Sequence, residues 1–282
     1  MCIINILNNN MSNTTTTMDS YEKVSNICEL LDEIKVENEQ KSYYEHLIKQ
    51  EMIGLPNNYK LLLDKETIKA AVKKCAFSIY NHFIKQAIDS DTTVEIVLLR
   101  ILKGATYFAN DLARSLRDII QVEGTYNKIV LRDEFVTASS YFDDIKPRSV
   151  TIGSYNFHLG QLVGKKIILV DELLDKGETI KELRNWAIMS GCDEKNIYSC
   201  VAFMKDKPRV IEPNWFGFIV PDIWLIGYGL DDKQYYRELE IVCYIDKPSS
   251  IEQTDDDKKF CVEDYHKTVD EYITNVKKSL IM

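Results

Sequence analysis

The segment KKIILVDELLDKGETIKEL, residues 165–183, restricts the fold more than any other part of the chain. Its opening, Ile167 to Val170, is aliphatic and β-branched without polar alternation, the pattern of a strand buried on both faces of a parallel sheet. Asp171 and Glu172 follow at once, Asp175 lies three residues on, and Gly177 and Thr179 stand where a helix begins. Read instead as one amphipathic helix, the stretch would hold Gly177 in its middle at a cost of about 1 kcal/mol. It would also open on β-branched residues that lose rotamer freedom in a helix. Strand, loop, helix is the reading adopted.

The same alternation extends along the chain. Asp64 is an N-cap candidate before Ile68, Val72, Cys75, Ile79 and Phe83, which share a helix face. Val94–Ile101, Lys128–Phe135, Lys166–Val170 and Asn196–Met204 read as strands, with helices at Thr106–Ile120 and Glu178–Met189. Short aromatic strands follow at Trp215–Val220, Trp224–Tyr228 and Ile241–Ile245. The fold class is therefore α/β, with a mostly parallel central sheet flanked by helices. Residues 1–18 form an Asn/Thr-rich tail expected to be disordered, and 19–54 a helical extension stopped by Gly54 and Pro56. The main domain spans 55–248, and 249–282 is a C-terminal helical extension, with Val262, Tyr265, Val269, Tyr272 and Val276 in register.

Composition narrows the function. With 35 basic against 44 acidic residues the net charge is −9, which repels nucleic-acid backbones and anionic membranes. An anionic ligand must then be met by local cations, backbone N–H groups or a metal. The seven cysteines form no CxxC pair or zinc spacing and read as reduced thiols of a cytoplasmic protein. No stretch approaches the ~20 apolar residues of a membrane span, and the short apolar start lacks the basic flank of a signal peptide.

In an open parallel sheet, ligands collect beyond the carboxyl ends of the strands, where the 171–179 loop falls. The free N–H groups opening the next helix suit a phosphate. The spacing is neither GxxxxGK[ST] nor GxGxxG, so ATP and dinucleotides are not supported. Acids beside a phosphate site repel the ligand unless they grip hydroxyls or magnesium, and a ribose phosphate offers both.

Four apolar residues, two acids, two apolar residues, Asp, any residue, Gly, any residue and Thr resemble the phosphoribosyl pyrophosphate (PRPP) signature of the type I phosphoribosyltransferases. Further stretches, in order, are LKGA (102–105), EFVTASSY (134–141), MKDKPR (204–209), WFGFIVPD (215–222) and GYGLDDKQYYRELEIVCYI (227–245). Together they are similar to the hypoxanthine-guanine branch of that family, over roughly Leu55 to Asp246.

The resemblance implies the type I fold, with a small hood region beside the sheet and extra helices at both ends. It implies that Asp171 and Glu172 hold the ribose hydroxyls and Mg2+, with Asp222 near a second magnesium and at the floor of the purine pocket. Asp175 would move the proton at purine N7, and Lys176, Gly177, Glu178 and Thr179 would surround the 5′-phosphate. Lys103, Gly104 and Arg237 would meet pyrophosphate, the loop Leu102-Lys103-Gly104 being one that in the family often carries a non-proline cis peptide. Ser140 and Tyr141 would begin a mobile lid. Lys205 would donate to the purine 6-oxo group, Trp215 would stack on the base and Phe216 would touch its edge. Many relatives carry Thr in place of Lys176 and Lys in place of Glu178, a departure that bears on phosphate affinity. The implied partners are PRPP and a 6-oxopurine, in a homodimer or homotetramer engaged in purine salvage. Another base such as xanthine, or a non-catalytic PRPP sensor, are the alternatives.

Overall fold

A computed structural model describes residues 52, 54–140, 150–154, 159–245 and 262–281. The expected tail, the N-terminal helical patterns up to residue 51, and Tyr141 of the expected lid lie outside these residues. Of Ser140 only the backbone is described, at the end of a strand.

Nine strands and four α-helices are described: β1 Tyr59–Leu63, α1 Lys65–Asp89, β2 Val94–Leu102, α2 Thr106–Val122, β3 Ile129–Ser140, β4 Val150–Ser154, β5 Lys166–Leu174, α3 Glu178–Met189, β6 Ile197–Lys205, β7 Trp215–Val220, β8 Leu225–Ile226, β9 Val242–Ile245 and α4 Val262–Ile281. Asp64 caps α1 as expected, its carboxylate accepting from the Thr67 N–H at 2.7 Å.

The main sheet has the order β4-β3-β2-β5-β6-β7. All neighbours run parallel except β4, which pairs antiparallel with β3. Strand residues alternate between two apolar layers. Ile96, Leu98, Ile168 and Val170 pack with α1 and α2 around Phe83 and Phe108, while Val97, Leu99, Ile167 and Leu169 pack with Ile180, Leu183 and Ala187 of α3. Coverage on both faces explains the unbroken apolar runs of β2 and β5. A second antiparallel sheet, β1-β9-β8, forms the hood, with its own cluster of Tyr59, Ile226, Ile241 and Cys243.

The topology fixes where a ligand binds. The chain leaves β2 toward β3 on one side and returns to β5 on the other, so the strand order reverses between β2 and β5. The carboxyl ends of these two strands therefore diverge into a crevice. The loops at Leu102–Ala105 and Asp175–Gly177 both open onto it.

Three expectations need correction. β5 runs on to Leu174 rather than stopping at Val170, so Asp171 and Glu172 are strand residues with the rigidity of the ladder to β6. The strand expected at Trp224–Tyr228 shortens to Leu225–Ile226, because Gly227, Tyr228 and Gly229 take positive φ values and turn the chain. β1 and β4 were not expected, since each is short and paired with a strand distant in sequence or across a long connection. Replacing Asp64 by Ala should remove about 1 kcal/mol of stability, read as a lower urea midpoint at unchanged m-value.

Candidate active site

Two glycines make the crevice possible. A side-chain carbon on Gly104 would overlap the carboxylate of Glu172. One on Gly229, at φ 99°, would overlap the Gly104 carbonyl. The β2 loop, the acid at the end of β5 and the hood turn thus meet closely: backbone leaves room only for glycine at 229, and at Gly104 a side chain would have to displace the end of Glu172. The Leu102–Lys103 peptide is cis, as the resemblance implies, and the Lys103 carbonyl accepts from the Thr106 hydroxyl at 2.6 Å as α2 begins.

Asp171 is buried and Glu172 half-buried. Burial, reinforced by the neighbouring Glu172 charge, pushes the Asp171 carboxyl well above the usual range. Burial raises Glu172 as well, opposed by its hydrogen bond with Asp171 and the Arg237 charge and aided by Asp231. A pair of desolvated acids of this kind is short of positive charge and donor groups, which ribose hydroxyls and a hard cation supply. Among the described residues no group of three or more His, Cys, Asp or Glu gathers to hold a metal.

Arg237 reaches the same place from the hood. One guanidinium nitrogen donates to the Gly229 carbonyl at 2.6 Å and the other pairs with Asp231 at 2.5 Å. Its Nε is buried and has no partner among the described residues, a costly state for a donor unless a ligand fills it. The turn carrying it holds Lys233, Gln234 and Tyr236 at φ 52°, 75° and 72°, sparsely populated conformations of the sort that collect at functional sites.

On the other side of the crevice, Gly177 caps α3 in the left-handed region, φ 82°, and a side-chain carbon there would meet Ile211 at 2.8 Å. Gly177 has no side chain with which to cap this helix, and the N–H groups of a helix's first turn suit an anion. Thr179 is half-buried in that turn, and Lys176 and Glu178 are exposed. The Lys176 carbonyl accepts from the Val210 N–H at 2.9 Å, which ties this loop to residues 206–211.

Those residues hold a chain of alternating charges. Asp175 pairs with Lys207. Lys207 in turn lies 3.0 Å from Asp222, and Lys205 lies 3.0 Å from the same Asp222 oxygen. Arg209 fixes the turn by donating to the carbonyls of Lys205 and Lys207 at 3.1 and 3.0 Å. Burial works against ionised Asp222, but hydrogen bonds and charge from the two lysines hold its carboxyl below the usual range.

Several expected residues stand elsewhere or in other company. Trp215 opens β7 opposite Cys200, five residues before the Lys205–Val220 pair, so it sits about 16 Å back along the strand, at the far edge of the sheet. It packs there with His82 and Tyr198, both at 5.6 Å between ring centroids, and cannot stack on a ligand in the crevice. Phe216 shares that end and is half-buried in the α3-side layer. The exposed ring near Asp222 is Trp224, at 54% exposure. Asp222 does not join the acid pair, because the two lysines hold it; the third acid beside Glu172 is Asp231. Lys207, Trp224 and Asp231 were not singled out from sequence, although each lies in or beside a quoted motif. Lys207 is the second lysine of MKDKPR, and Asp231 is the first of the pair after GYGL.

The Asp222 shift carries a sign. A carboxyl whose folded pKa is depressed contributes its stability fully above the unfolded value, about 4, and loses it as pH falls through the folded one. Urea midpoints of the wild type should fall more steeply between about pH 5 and pH 2 than those of Asp222→Asn. Parallel profiles would mean that the lysines do not hold this carboxylate.

The model of the phosphoribosyl transferase domain matches residues 58–233. The hypoxanthine-guanine phosphoribosyltransferase of Aquifex aeolicus is 34% identical over 189 residues, which is 66% of this chain and 94% of that relative. The human enzyme of the same name is 29% identical over 153 residues, 53% of this chain and 67% of its own. Among solved structures, a hypoxanthine-guanine phosphoribosyltransferase from Bacillus anthracis superposes with a TM-score of 0.52 at 25% identity, covering 66% of this chain and 98% of that one. A Trypanosoma cruzi hypoxanthine phosphoribosyltransferase in a ternary substrates complex, 22% identical, shares the fold at a TM-score of 0.55 over 67% of this chain and 95% of its own. With its acid pair at the strand-order reversal and its open helix terminus beside it, the chain belongs to the phosphoribosyl transferase family and, within it, to the hypoxanthine-guanine phosphoribosyltransferases.

Proposed function

We propose that this chain transfers the phosphoribosyl group of PRPP to N9 of a 6-oxopurine, giving IMP or GMP and pyrophosphate, as a purine-salvage enzyme. One observation carries the reading: Glu172, the β2 loop and the open N-terminus of α3 converge on the crevice between β2 and β5.

Each group then has a task. The N–H groups after Gly177, with Thr179, hold the 5′-phosphate; because backbone does the holding, Lys176 and Glu178 in place of the commoner residues leave the cradle intact. Asp171 and Glu172 grip the ribose hydroxyls. They also fit magnesium, which takes one or two carboxylates and completes its shell from water and substrate phosphates. When bound, magnesium supplies charge neutralisation at the leaving pyrophosphate. Lys103 and the unpartnered Nε of Arg237 face the same anion. As N9 forms its bond to C1 and the C1–oxygen bond to pyrophosphate breaks, the proton on N7 passes to Asp175.

N7 and the 6-oxo oxygen lie side by side on one purine edge. The lysine in contact with Asp175 is Lys207, while Lys205 is a step further off through Asp222. Lys207 is therefore the donor to the 6-oxo group, and Lys205 keeps Asp222 in place. Trp224 takes the stacking role first sought at Trp215. The catalytic unit is 55–248 and 249–282 an appendage, whose described helix α4 packs against α1 and β7. Four buried cysteines that are in no disulfide, Cys75, Cys192, Cys200 and Cys243, support a cytosolic setting. We extend to this chain the homodimer or homotetramer that the family resemblance implies.

A turnover assay with magnesium, PRPP and hypoxanthine, guanine, xanthine or adenine tests the reading. Hypoxanthine and guanine should be converted and adenine refused, since an amino group cannot accept from Lys207. Asp175→Asn should lower kcat by about 10²–10⁴-fold while substrate binding persists. Lys207→Met should raise KM for the base more than Lys205→Met does. PRPP binding without turnover of any base would favour a sensor, and preferred use of xanthine would move the specificity.

A further inference from the structure

The C-terminal helix is fastened both to β7, the strand that leads to Asp222, and to β1 of the hood. β7 is the last strand of the main sheet on its side. Its Val220 carbonyl accepts from the Asp206 N–H at 2.8 Å, on the β6 side. Since successive residues of a parallel strand direct their peptide groups to opposite sides, the carbonyls of Gly217 and Ile219 point off the free edge. The Tyr265 hydroxyl donates to Ile219 at 3.1 Å and the Tyr272 hydroxyl to Gly217 at 2.7 Å. α4 thus runs antiparallel to β7 and stands where a seventh strand would pair.

The attachment is reinforced on three sides. Lys74 of α1 donates to the Tyr272 hydroxyl at 2.8 Å and lies 4.4 Å from the centre of its ring. The Phe218 and Tyr272 rings are 5.0 Å apart, and Val269 is buried between the tyrosines. On the hood side, a ring N–H of His266 donates to the Leu62 carbonyl of β1 at 2.9 Å. β1 and β8 both pair with β9, so holding β1 holds the strand that Trp224 introduces.

We propose that Tyr265 and Tyr272, with His266, are positioning residues: α4 straps the edge strand β7 to the hood and so fixes the mouth between Asp222, which follows β7, and Trp224, which precedes β8. The inference rests on the base-pocket reading above. The strap meets β7, α1 and β1, and among the described residues no hydrogen bond joins it to the phosphate or pyrophosphate loops. Its loss should be felt by the base and not by PRPP.

The test is the full-length Tyr265→Phe/Tyr272→Phe variant, which keeps both rings and removes both hydroxyls. Amide hydrogen exchange of β7 residues bonded to β6 should quicken about tenfold while β2 and β5 are unchanged. KM for hypoxanthine should rise about fivefold with kcat and KM for PRPP within about twofold. His266→Ala should raise the same KM and quicken exchange in β1. Unchanged β7 exchange overturns the proposal, and so does an equal rise in both KM values, which would signal general loosening. A wild type that converts no purine sinks the functional reading instead, and the strap is then decided by the exchange difference alone.

Discussion

Close backbone approach at the point where the strand order reverses is the constraint on which the rest of this molecule depends. Gly104 admits the carboxylate of Glu172, and Gly229 rests on the Gly104 carbonyl. Three segments that are far apart in sequence, the β2 loop, the end of β5 and the hood turn, become walls of one crevice because two residues lack side chains. The parallel ladder from β2 to β5 and β6 then holds the acids with the rigidity of a strand rather than that of a loop.

Electrostatics follow from that geometry. The chain carries a net charge of −9, yet the crevice is arranged for an anion. The N-terminus of α3 flanks it on one side and Arg237 and Lys103 on the other, and in the proposed reaction the acids Asp171 and Glu172 would take up the cation that accompanies the ligand. At the neighbouring base pocket the charges alternate from Asp175 to Lys207, Asp222 and Lys205, so that each lysine is neutralised without being used up. The phosphates of the proposed substrate would meet these local fields, which outweigh the charge of the whole at contact distance because intervening water screens the remainder.

Much of this was legible in the sequence where one residue type had one physical meaning. The β-branched run before Asp171 admits a buried strand, Gly177 admits a left-handed turn, and Asp64 admits a cap; all three are found. Legibility failed where direction mattered. An aromatic at the start of WFGFIVPD and one just after it are equivalent as letters, but a strand separates them. Only Trp224 lies at the ligand end, while Trp215 belongs to the opposite edge. Lys205 and Lys207 differ by two positions, and the turn pinned by Arg209 decides which of them meets Asp175. Arg237 came from the resemblance alone, because nothing in its neighbourhood announces that a turn with positive φ values will fold it back onto Gly229. The short strands β1 and β4 depend on partners that local patterning does not reveal.

A crystal structure of the chain with PRPP and magnesium reaches the central claim most directly. The account predicts the 5′-phosphate on the N–H groups that follow Gly177, the ribose hydroxyls on Asp171 and Glu172, and pyrophosphate against Lys103 and Arg237. A sugar phosphate found outside the crevice between β2 and β5, or bound there with its ribose turned away from both acids, would contradict it.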